Sequence, residues 1–124
     1  MPNESPGRRH IFPRKRRVCA DSEFRRVRTE GNSWRGKFMT IGLLPSEDVE
    51  QAKAGFVTSR RVGGAVVRNR VRRRLREIVR LHQHEIRRGI LIVTIAHGAA
   101  AGARYSELEA EWLRLAKRAS ILAP

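Results

Sequence analysis

The chain has 124 residues, a formal charge of +15 and an isoelectric point near 11.7. That length fits one domain with a modest core, an apolar content of 40 % excludes a disordered polycation, and the charge excess asks for a polyanionic partner, nucleic acid before an anionic membrane. A single cysteine, Cys19, excludes a disulfide framework and a Cys-based zinc site and fits a reducing cytoplasm, and no apolar run approaches the roughly 20 residues of a membrane span.

Residues 1–13 mix Pro, Gly, Asn, Ser and Arg and read as a flexible basic arm; 14–122 read as one domain. The arm lacks the apolar segment of a secretory signal. A basic cluster follows at Arg14-Lys15-Arg16-Arg17. Asp21-Ser22-Glu23 opens a helix, with an N-cap and acid in its first turn. That helix runs to Glu30 and stops at Gly31. Phe24 and Val27 share one of its faces. Trp34–Leu44 predicts a strand, Pro45–Lys53 an acidic hairpin loop, and Gly55–Ser59 a returning strand. Gly63-Gly64 marks a turn. It lacks the spacing of a P-loop or a dinucleotide fingerprint, so it predicts no nucleotide site.

A long helix begins between Ala65 and Arg68 and reaches His84 to Arg88. Val71, Leu75, Ile78, Val79 and Ile86 make its apolar stripe. From Arg60 to Arg80 there are nine arginines and one acid, Glu77. Asn69, Arg72, Arg73, Arg76 and Arg80 cluster beside the stripe, with Arg70 and Arg74 further round. The column Arg68/Arg72/Arg76/Arg80 repels itself by a few tenths of a kcal/mol per pair, which a polyanion would relieve. Solvated faces normally intersperse both signs. Of the 27 basic residues 23 are arginine. A GC-rich genome and bidentate phosphate contact explain that bias equally well.

Ile90–Ala96 is apolar apart from Thr94 and predicts a strand covered on both faces. An Ala/Gly-rich loop follows. Ser106-x-x-Glu109 predicts a capping box for a last helix whose apolar face is Leu108, Trp112, Leu115, Ala119 and Leu122. The expected fold is a two-layer α/β (α+β) sandwich, with three helices on a small mixed sheet of about four strands.

His10, His82, His84 and His97 have no metal-ligand spacing, and no nucleophile signature or paired carboxylates accompany the basic region. The residues themselves indicate a nucleic-acid-binding module with no catalytic apparatus. Phe24, among arginines, stands either as a stacking platform for an unpaired base or as a core anchor. A structural RNA-binding protein of ribosomal type needs the same basic helix and no single-strand cleft.

The segment Ser59-Arg-Arg-Val-Gly-Gly-Ala-Val-Val-Arg-Asn-Arg-Val-Arg-Arg-Arg-Leu-Arg-Glu77 resembles the signature of the bacterial ribonuclease P protein component. Ala65-Val66 and Arg68-Asn69-Arg70 are its most specific part. Arg17-Val18, Phe24, Gly31, the strand at 38–44, Ser106 and Leu108 extend the likeness over roughly 14–122. The resemblance implies a cytoplasmic accessory subunit of an endoribonuclease that removes the 5′ leader from precursor tRNA. An RNA subunit would perform the hydrolysis with Mg2+ bound mainly by RNA. The partners would be the catalytic RNA and precursor tRNA, with no protein partner and no membrane. It implies a left-handed β-α-β crossover, against the usual handedness.

Carried over by position, the resemblance implies catalytic-RNA contact at Arg60, Arg61, Arg68, Asn69, Arg70, Arg72, Arg73 and Arg76. It implies a leader cleft lined by Phe24, Arg28, Met39 and Ile41. Arg28 replaces a frequent aromatic, and Ile41 stands where tyrosine can occur. Arg28 would then meet leader phosphate or stack through its guanidinium plane.

Overall fold

The computed structural model describes residues 21–123. The expected basic arm, the 14–17 cluster, Arg17-Val18 and Cys19 lie outside them. The described residues form α1 (Asp21–Glu30), β1 (Asn32–Arg35), β2 (Met39–Pro45), β3 (Lys53–Thr58), α2 (Ala65–Leu81), β4 (Ile90–Ala96) and α3 (Tyr105–Arg118). The strands make one mixed sheet in the order β1-β2-β4-β3. β4 pairs antiparallel with β2 and parallel with β3. The parallel pair is joined through α2.

α1 keeps its expected limits, and the Gly31 N–H donates to the Val27 carbonyl at 3.0 Å as the chain leaves it. The expected strand over 34–44 is instead a hairpin of two strands, Asn32 facing Leu43 and Arg35 facing Thr40. The break falls at 36–38, where the Glu111 carboxylate of α3 gathers the backbone N–H groups of Lys37, Phe38 and Met39. Pro45–Lys53 is not a hairpin loop, because β4 sits between β2 and β3. Its Val49 and Ala52 are buried, so the loop is anchored to the core.

Two apolar clusters hold the layers together. On one sheet face, Met39, Ile41 and Leu43 of β2 with Ile90 and Ile92 of β4 meet α2 and α3. Val71, Leu75, Ile78 and Val79 of α2 and Leu108, Trp112 and Leu115 of α3 are buried there. On the other face, Leu44, Leu91 and Val93 meet Val27 of α1, with Val49 and Phe24 alongside. Central strands covered on both faces explain why Ile90–Ala96 shows no alternation. Thr94 is fully buried and accepts a hydrogen bond from Trp112 Nε1 at 3.2 Å, as a buried polar group requires.

The long helix stops at Leu81, earlier than its pattern suggested. Ile86 is buried all the same, through a bridge to Leu122. α3 starts at Tyr105, and the carboxylate reaching back to its first turn is that of Glu107, which accepts the Arg104 N–H at 2.8 Å. Glu109 is used elsewhere. Beyond α3, Ser120 takes φ 57 and turns the chain so that Ile121 is buried and Leu122 only half-buried. The expected helical stripe through Ala119 and Leu122 therefore ends with the helix.

Glu109 joins a clamp between the two helices. His82, just past α2, stacks on Trp112 with ring centroids 6.4 Å apart. Its Nδ1 lies 2.9 Å from Glu85 and its Nε2 3.0 Å from Glu109. Burial lowers the His82 pKa, but hydrogen bonds and charge from the two glutamates outweigh it and raise the value above 6.5. A raised pKa in the folded state gives stability that is complete below about pH 6.5 and lost as pH climbs through the folded value. Melting curves from pH 5.5 to 9 should therefore show His82→Gln costing most at the acid end. A cost independent of pH would remove the charged clamp.

Candidate nucleic-acid interface

The basic segment folds as a 3-10 turn at Arg60–Val62 and then α2. Gly63 takes φ 144, a conformation that side chains other than glycine's strain to adopt. The apolar stripe points inward, so the arginines fall on the remaining faces. The loop at Gly98–Gly102 runs beside α2, and carbonyls in and just after it hold two of them. Arg70 Nη2 donates to Ala101 O and Arg74 Nη1 to Ala103 O, both at 3.2 Å. Arg72 donates from Nη1 to Asn69 Oδ1 at 2.9 Å and from Nη2 to Thr58 Oγ1 at 2.7 Å. Each bond fixes a guanidinium yet leaves most of its five N–H donors unused.

Among the described residues no carboxylate pairs with Arg60, Arg61, Arg68, Arg70, Arg72, Arg73 or Arg74. Arg80 differs: it grips Glu77 through Nε at 2.9 Å and Nη2 at 2.6 Å. Its charge is therefore neutralised within the helix, while Arg76 is exposed. Arg68 Nε is buried and has no hydrogen-bond partner. A buried charged donor left unpaired costs free energy, and an arriving anion is a natural partner. All eight expected RNA-contact residues thus lie on the turn and on α2.

On the opposite sheet face, α1 covers only part of the strands. Beside it opens a cavity of about 290 Å³ lined by Phe24, Val27, Arg28, Gly31, Ser33, Thr40, Gly42, Val57, Val93 and Ile95. Val57 and Ile95 are large apolar side chains left exposed there. Thr40 Oγ1 lies 2.7 Å from His97 Nε2, which gives the apolar trough a fixed hydroxyl. Phe24 is half-buried. It packs on the second apolar cluster and also lines the cavity, so the core anchor also faces the cavity. Arg28 is exposed at the rim.

Met39 and Ile41 are not in this cleft. Both are 0 % exposed, in the core beneath α2 and α3. Successive strand residues point to opposite faces, so the neighbours Thr40 and Gly42 line the cavity. Ser33, Val57, Val93 and Ile95 join them there with no motif in the sequence to mark them. A wider hollow of about 670 Å³ by Arg26, Asp48 and Gly89 has no aromatic lining; Arg26 and Asp48 approach to 3.7 Å across it. Among the described residues no group of three His, Cys, Asp or Glu is placed to hold a metal ion, and no helix is long and apolar enough to cross a membrane.

Comparison with known proteins decides what family builds these two faces. The family model for ribonuclease P matches residues 12–120. The chain belongs to the ribonuclease P protein family. The ribonuclease P protein component of Acidothermus cellulolyticus is 42 % identical over 109 residues, 87 % of this chain and 91 % of the relative. That of Desulfovibrio desulfuricans is 38 % identical over 114 residues, 90 % and 88 % of the two chains. Among solved structures, a mutant of the Staphylococcus aureus RNase P protein superposes with TM-score 0.85 at 21 % identity, covering 96 % of this chain and all of that one. The Thermotoga maritima RNase P protein gives 0.74 at 24 %, covering 82 % and 96 %. The structural likeness establishes that this ribonuclease P protein has the family's mixed-sheet fold.

Proposed function

We propose that the chain is the protein subunit of a ribonuclease P. In this reading it docks on the catalytic RNA through Arg60, Arg61, Arg68, Asn69, Arg70, Arg72, Arg73 and Arg76. It holds the single-stranded 5′ leader of precursor tRNA in the cleft beside α1, and the RNA subunit performs the hydrolysis. The observation that carries this reading is that neutral oxygens hold the guanidiniums of Arg70 and Arg72 on the helix flank, with no carboxylate on either, and that the buried Nε of Arg68 has no hydrogen-bond partner. It sits on the sheet face opposite an apolar, aromatic-edged trough. The flank suits a folded polyanion; the trough, narrow and with one fixed hydroxyl, suits an unpaired base.

Mg2+ would be held mainly by RNA phosphates, where it supplies charge neutralisation for the hydrolysis. The described residues offer it no cage of carboxylates or imidazoles, so this chain's part is to bind, orient and neutralise charge. The described acids that face the interior are already engaged, Glu111 by backbone N–H groups and Glu109 by His82.

Reconstitution tests the whole reading. Added to a bacterial catalytic RNA at low Mg2+, the protein should stimulate leader cleavage; no stimulation at any salt concentration would overturn it. Within the holoenzyme, Phe24→Ala should reduce the preference for precursor over mature tRNA by about 1–3 kcal/mol, the worth of one stacked base. An unchanged ratio in a variant that melts normally would empty the cleft of its assigned strand.

A further inference from the structure

We infer that the chain carries a second docking surface for the catalytic RNA, built from Arg87, Arg88, Lys117 and Arg118 at the far end of the α2/α3 layer. The inference rests on reading the α2 flank as the first such surface. All four side chains are exposed. Backbone pairing brings their two segments together. Ile86 bridges to Leu122, the Arg87 N–H donates to Ile121 O at 2.8 Å, and Ser120 N donates to Lys117 O at 3.1 Å. The four cations therefore sit on a framework fixed by main-chain bonds.

Nothing among the described residues neutralises them. None of the four forms an ion pair there. The nearest acid along the chain, Glu85, has its carboxylate on His82. Four like charges gathered with no acid paired to any of them suit a polyanion.

The patch is separate from the α2 flank. The α2 flank ends at Arg76, and between it and Arg87 the charges are paired, with Arg80 on Glu77 and His82 between Glu85 and Glu109; from Arg68 to Leu81 the helix alone spans about 20 Å. The two basic surfaces share one layer, whereas the cleft opens on the other sheet face. A ligand touching both must be long and folded, which selects the catalytic RNA over a short leader strand. Phosphate recognition is the chemistry, since Arg and Lys without nearby exposed aromatics read backbone charge rather than bases.

The test uses the full-length protein with all four residues changed, Arg87→Gln, Arg88→Gln, Lys117→Gln and Arg118→Gln. Binding to the catalytic RNA is titrated from 50 to 300 mM salt. At 150 mM the Kd should rise about tenfold or more, and the slope of log K against log salt should become shallower by about 2–3, near 0.9 per phosphate lost. Hydroxyl-radical footprinting should show lost protection in an RNA segment distinct from the one lost with Arg70→Ala. An unchanged Kd and slope, with Arg70→Ala still weakening binding, would overturn this inference alone. If Arg70→Ala also had no effect, the α2 docking face would fall with it. Weaker binding to phosphatidylglycerol vesicles with RNA affinity intact would instead assign the patch to a membrane and overturn the proposal.

Discussion

Glu111→Ala is expected to cost roughly 3–5 kcal/mol of folding stability, the largest loss from any single carboxylate here. Glu111 is 3 % exposed. Its Oε1 accepts the N–H groups of Phe38 at 2.7 Å and Met39 at 3.0 Å, and its Oε2 that of Lys37 at 2.9 Å. Arg114 Nη2 stands 3.3 Å away with a largely exposed side chain, so solvent screens that pair and it contributes little. Alanine would leave the three backbone donors of the β1–β2 turn without their acceptor. Glu111→Gln separates charge from geometry. Its amide oxygen can keep Phe38 and Met39, but its NH2 would face the Lys37 N–H, so a loss between wild type and alanine is expected. Gly36 belongs to the same arrangement, because a methyl there would lie 2.5 Å from Glu111 Cδ. Urea unfolding measures all three chains; an alanine variant within 1 kcal/mol of wild type would show that the turn holds itself.

That carboxylate also explains what sequence patterning does not reach. Glu107, Glu109 and Glu111 read alike in the sequence, as acids on the early turns of a helix. In the fold each serves differently. The first caps α3, the second clamps His82, and the third breaks an apparent strand more than seventy residues earlier. Local periodicity finds α1, the α2 stripe from Val71 to Val79, and β4, because each writes its burial into neighbouring residues. Strand order is not local. Nothing near Pro45 says that β4 will later enter between β2 and β3.

The cleft lining is hard to read for a different reason. In β2 both faces are covered, by α2 and α3 on one side and partly by α1 on the other, so Met39, Ile41, Gly42, Leu43 and Leu44 are all buried. An alternating strand would declare its phase; this one does not. A shift of one residue exchanges every side chain between faces, and Met39 and Ile41, carried over from the family resemblance, differ from the cavity-lining Thr40 and Gly42 by that one residue. The α2 arginines escape that ambiguity, since a helix with one narrow apolar stripe leaves only one way to orient its charge.

Changing Arg68, Arg70 and Arg72 together to glutamine is expected to weaken binding to the catalytic RNA on the order of 10²–10³-fold at 150 mM salt, taking about 1–1.5 kcal/mol for each charged contact. The salt slope should become shallower by about 2.7, or 0.9 for each of three phosphates. Folding stability should change little. Removing the Arg68–Arg72 and Arg72–Arg76 repulsions gains a few tenths of a kcal/mol for each pair, offset by the lost Arg72 bonds to Asn69 and Thr58. Binding and melting data together therefore separate a docking defect from an unfolded protein. The same three positions changed to lysine keep the charge and lose the fork. Lysine cannot span Asn69 Oδ1 and Thr58 Oγ1 as Arg72 does, nor present two parallel donors to one phosphate. If long-range charge alone drives docking, the lysine variant should bind like wild type. If the held guanidiniums act as oriented forks, it should fall between wild type and the glutamine variant, with the wild-type salt slope and a faster dissociation rate. Unchanged affinity in both variants would remove α2 from the RNA interface.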